Sequence, residues 1–125
     1  FQKLYINDPL EIVRVAYLNR NYTLLRVVTI CRGEPMAASP SNRLILESAL
    51  ENPDNTYAIL AHNHPHCDPI PSEPDLDYTG KVKYVLRSAG VKLLDHVIVG
   101  DRNTVYSLRV AGDVSWQIEE ETSPR

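Results

Sequence analysis

The stretch AHNHPHCDPIPSEPD, residues 61–75, gathers three of the chain's four histidines, one of its two cysteines and four of its nine prolines. It follows directly on YAIL, residues 57–60, a short apolar run that reads as a central strand. His62 and His64 are two apart at the end of that strand, so their side chains project to one face, close enough to share an ion. Neutral imidazoles at that separation suit zinc. The four prolines stiffen the loop that follows, and Ser72 to Asp75 reads S-x-x-D just before an amphipathic segment, which puts Asp75 in the first turn of a helix. A carboxylate there is favoured by the helix dipole and can supply a third ligand, leaving an open position for water as in a catalytic zinc site. Two other readings stand beside this one. S-x-x-D before an apolar run is also an ordinary capping box. His66 or Cys67 could complete a closed, inert tetrahedral site.

Working outward, EIVRVAYL (11–18) and YTLLRVVTIC (22–31) are rich in β-branched and aromatic residues and flank Asn19, Arg20 and Asn21, so they predict a hairpin. After the breakers Gly33 and Pro35, Ser39 or Ser41 can cap a helix that tolerates Pro40 in its first turn and ends near Asn52 and Pro53. Beyond the histidines, Tyr78, Val82, Val85, Leu86 and Ala89 recur at helical spacing, with Gly90 as the stop signal. VKLLDHVIVG (91–100) and TVYSLRV (104–110) then give a second strand pair around Gly100 to Asn103. The order is two strands, helix, strand, helix, two strands, which predicts an α/β protein with a mixed sheet and helices on its faces. Residues 1–112 read as one domain. Residues 113–125, ending EEETSPR, read as a polar, disordered tail.

Composition narrows the function. Of 125 residues, 43% are hydrophobic and 23% charged, as in a folded globular protein, and no apolar run approaches the roughly 18 residues that span a membrane. The chain opens on Phe1 with no initiator Met and no charged-then-apolar leader, so residue 1 reads either as an arbitrary boundary or as the start of a domain within a longer protein. Cys31 and Cys67 sit in unlike contexts and give no disulfide framework, so both are expected as unpaired thiols in a reducing, cytoplasmic setting, Cys31 in the core and Cys67 near the metal. The formal net charge of −3 argues against a broad nucleic-acid-binding face. Lys81, Lys83, Arg87 and Lys92 are read as a solvated helix face. The H-x-E and later P-C-x-x-C of zinc deaminases are absent.

The run His62-Asn63-His64-Pro65, seven residues from Pro65 to Pro71, then Ser72, two residues and Asp75 follows the H-x-H-x7-S-x2-D pattern of the JAMM (JAB/MPN) metalloenzymes. AHNHP, DPIPSEPD and LLDHVIVGD resemble the bacterial RadC-like branch, and the resemblance runs from about Glu11 to Gly112. It implies a cytidine-deaminase-like three-layer fold and zinc-dependent hydrolysis of a peptide or isopeptide bond. It also implies that His62, His64 and Asp75 are the zinc ligands and that Glu11, opening the first strand, is the general acid/base. Ser72 is the matching candidate to donate to the oxyanion. The sequence departs from the branch where a Ser-Gly pair becomes His66-Cys67. Two further readings come with the resemblance: a binding or scaffold module that keeps the fold without hydrolysis, and a DNA-repair association carried by the RadC name.

Overall fold

The computed structural model describes residues 10–33, 42–65 and 68–112. Its elements are β1 (Ile12–Leu18), β2 (Leu24–Arg32), α1 (Asn42–Leu50), β3 (Tyr57–Asn63), α2 (Glu73–Ser88), β4 (Lys92–Val99), a 3₁₀ turn (Asp101–Asn103) and β5 (Val105–Ser107). The strands form one mixed sheet in the order β2-β1-β3-β4-β5. β1 lies antiparallel to β2 and β3, β3 is parallel to β4 through the α2 crossover, and β5 returns antiparallel. No helix among the described residues is long and apolar enough to cross a membrane.

β1 lies beside the central strand, β3. Ile12, Val13, Val15, Ala16 and Tyr17 are all buried, in a strand flanked by β2 on one side and β3 on the other. Val13, Val15 and Tyr17 point to one face and stand in register with His62, Leu60 and Ala58 of β3, which in turn meet Ile98, His96 and Leu93 of β4. Both helices pack on that face, through Ile45 and Ala49 of α1 and Tyr78, Val82 and Leu86 of α2. Tyr17 ties α1 down, its hydroxyl lying 2.5 Å from Ser48 Oγ and donating to the Ile45 carbonyl at 3.2 Å. Ile12, Ala61 and Val99 form a smaller cluster that strand alternation places on the opposite face. A third layer over that face is not among the described residues.

Three expected boundaries move, each for a local reason. β2 begins at Leu24 rather than Tyr22, because the Asn19 side-chain oxygen accepts the amides of Asn21 and Thr23 and Tyr22 takes a positive φ of 63°, drawing these residues into the turn. β3 runs to Asn63, since His62 and Asn63 still have partners in β4. β5 stops at Ser107, where the Ser107 hydroxyl bonds Asp95 and the Ser107 carbonyl accepts the amide of Ala111. The cap expected at Ser39 or Ser41, Pro40 and the tail 113–125 lie outside the described residues. α2 ends as its Gly predicts: Gly90, at φ 78°, donates to the Arg87 carbonyl while Val91 reaches Leu86.

Candidate metal centre

The centre forms where the C-terminal end of β3 meets the N-terminus of α2. Strand alternation turns His62 towards the helices and Asn63 away from them. His64 lies one residue past the strand, its amide still donating to the Val99 carbonyl at 2.8 Å, and so returns to the side of His62. Pro69 packs against Gly100, where any Cβ would lie 2.7 Å from the proline ring, so only glycine lets the loop pass this close. Ser72 then caps α2 and brings Asp75 inwards.

Ser72 and Asp75 make a complete capping box: Ser72 Oγ accepts the Asp75 amide at 3.2 Å, and Asp75 Oδ2 accepts the Ser72 amide at 2.9 Å. The same carboxylate faces the histidines, with Oδ2 3.0 Å from His64 Nε2 and Oδ1 3.3 Å from His62 Nε2. The two Nε2 atoms are 3.0 Å apart. One carboxylate therefore serves both of the readings that S-x-x-D allows, as helix cap and as the third corner of a His-His-Asp cluster. Ligand atoms from the three residues all lie within 4.8 Å of one another.

The donor set suits zinc. A tetrahedral ion with bonds of about 2.0–2.2 Å holds its ligands roughly 3.3–3.6 Å apart, a few tenths of an ångström beyond the spacings here. Each imidazole also has its other nitrogen engaged away from the centre, as metal-binding histidines do. His64 Nδ1 lies 3.0 Å from the Asp68 carbonyl, which can only accept, so in the neutral ring Nδ1 carries the proton and Nε2 presents its lone pair. His62 Nδ1 lies 2.7 Å from His96 Nε2.

The electrostatics follow from burial and this pairing. Burial alone would raise the Asp75 pKa, but the two imidazoles facing its carboxylate, which donate from Nε2 whenever they carry a proton there, hold it well below the ordinary carboxylate range. The Asp75 hydrogen bond in turn raises His64 above its usual value, against the opposing effect of burial. His96 is wholly buried, and desolvation keeps it well below its usual value, hence neutral.

Glu11 precedes β1 by one residue and is half-buried. Burial raises its pKa; His62 and His64 pull it down and Asp75 pushes it up, so its carboxyl sits in the field of the cluster. The antiparallel pairing of Val13 with His62 brings it there. Ser72 is exposed at the helix cap. His66 and Cys67 lie outside the described residues; Cys31 packs half-buried against the main core.

Three buried polar residues escaped the sequence reading as parts of the site. Asn63 accepts the Ile12 amide at 2.7 Å and donates to the Leu10 carbonyl at 2.8 Å, gripping the backbone on both sides of Glu11. Thr79 donates to the Asp75 carbonyl at 2.8 Å and lies 2.5 Å from His96 Nδ1. Thr79 left a signal, a polar residue one turn after Asp75 on an otherwise apolar helix face. His96 left one too, as the one polar side chain that β4 turns towards Leu60.

A family model, the RadC-like JAB domain, matches residues 1–113. The chain belongs to that family. Among curated relatives, a UPF0758 protein of Vibrio cholerae is 36% identical over 99 residues, covering 79% of this chain and 62% of that protein. One from Carboxydothermus hydrogenoformans is 40% identical over 96 residues, covering 76% of this chain and 42% of the relative. The chain thus spans about half the length of the relatives it matches. For a RadC-like JAB domain, the mixed five-stranded sheet with its two helices agrees with the JAB/MPN fold.

Proposed function

We propose that this RadC-like JAB domain is a zinc-dependent hydrolase of peptide or isopeptide bonds. The observation that carries the reading is the convergence of His62 Nε2, His64 Nε2 and the Asp75 carboxylate on one point. Those three residues would hold the ion, which when bound supplies Lewis acidity to a water and to the substrate carbonyl. Glu11, with its pKa raised by burial, takes a proton from the attacking water and passes it to the leaving amine. The Ser72 hydroxyl accepts from the Asp75 amide and keeps its own proton to donate to the oxyanion.

The test is metal analysis of the purified chain, followed by an amide-hydrolysis assay on a mixed peptide library with zinc, with chelator, and with zinc restored. One zinc per chain and chelator-sensitive cleavage are expected. His62→Ala should lose the zinc without unfolding. Glu11→Gln should keep it while cleavage falls about a hundredfold or more. A chain that takes up no stoichiometric zinc defeats the reading, and zinc without cleavage favours a binding module instead.

A further inference from the structure

We propose that His96 and Thr79 are positioning residues that fix the tautomer of His62, so that its Nε2 faces the centre as a lone pair. This rests on the zinc reading of the site. A hydrogen-bonded chain runs from His62 Nδ1 to His96 Nε2 at 2.7 Å, from His96 Nδ1 to Thr79 Oγ1 at 2.5 Å, and from Thr79 Oγ1 to the Asp75 carbonyl at 2.8 Å. All four residues are buried, which shields the chain from competing water.

Proton counting gives the chain one direction. The Asp75 carbonyl can only accept, and the relay assigns it the single hydroxyl proton of Thr79. Thr79 Oγ1 must then accept from His96 Nδ1. A neutral imidazole has one proton, so His96 Nε2 is an acceptor and His62 Nδ1 must donate to it. His62 Nε2 is left bare. The relay begins at one residue of the cluster and ends on the backbone of another, so Thr79 sets the state of His62 without touching it. Partners of this kind orient metal-binding histidines and raise their basicity.

The experiment has two readouts. Long-range ¹⁵N–¹H spectra of the metal-free protein should show His62 and His96 both protonated at Nδ1. Thr79→Val keeps the shape but removes the hydroxyl, so His96 should move its proton to Nε2 and His62 should switch to the Nε2–H form. Zinc affinity, read by chelator competition, should then fall about tenfold or more in Thr79→Val and His96→Phe, and recover in Thr79→Ser. If His96→Phe does not fold, the two Thr79 variants carry the test. A wild-type His62 protonated at Nε2 overturns the relay, as does a Thr79→Val protein that binds zinc as tightly as wild type. Wild type that binds no zinc overturns the metal reading instead, and the relay then stands or falls on the tautomer spectra alone.

Discussion

Asp75 shows how much one side chain can be asked to do. Its carboxylate stays ionised because two imidazoles face it and a backbone amide donates to it, and this gives the metal-free protein a defined pH response. The lowered pKa of Asp75 contributes stability that is present above its unfolded value, about 4, and is lost as pH falls towards the folded one. The raised pKa of His64 contributes stability that is complete below about 6.5 and is lost as pH rises through its folded value. The stability advantage of metal-free wild type over His64→Gln should therefore be greatest between about pH 4 and 6.5. Thermal melts across pH check this, and an advantage that grows above pH 7 would contradict it. Zinc should act in the opposite sense, binding more tightly as pH rises and His64 gives up its proton. At this scale the sequence was legible where side chains carry their chemistry in their spacing, as His62, His64 and Asp75 do. Asn63 was not, because a buried carboxamide holding backbone looks like any polar residue in a loop.

At the level of elements, two junctions set the geometry, and each makes a prediction. The Asn63 side chain extends the pairing of β1 beyond its regular ladder and so fixes the backbone of Glu11. Asn63→Leu removes the acceptor of the buried Ile12 amide, at about 1–3 kcal/mol. Hydrogen exchange should show the Ile12 amide losing protection while Leu60 keeps it. Zinc content should survive and any cleavage rate should fall. The second junction is the cap of α2. Ser72→Ala should cost about 1 kcal/mol by urea denaturation, with zinc still bound through Asp75. A Ser72→Ala protein that loses its metal would mean that the box, rather than the dipole and the loop, holds Asp75 in place. The helix start was readable because capping chemistry is local. The extension of β3 through His62 and Asn63 was not, since it depends on strands far away in the chain.

For the whole molecule, strand and helix order was legible because hydrophobic period and breaker residues encode it, and the sheet order followed only once β1 was seen beside β3. Zinc at a hundredfold excess over its Kd should stabilise the fold by about 2.7 kcal/mol and raise Tm by several degrees, with no rise in His62→Ala. An equal rise in that variant would place the ion elsewhere. The path of the chain has one more consequence. His64 and Asp75 are 11 residues apart, whereas the contact that delivers Glu11, Ile12 to Asn63, spans 51. Loop closure over the longer span costs about 1.4 kcal/mol more by polymer scaling, and such distant pairings are what make folding slow. On the zinc-hydrolase reading, a chain whose first strand has not yet docked would still gather ligands around an ion while lacking its base, so ion capture and turnover would be separable stages in the life of this polypeptide.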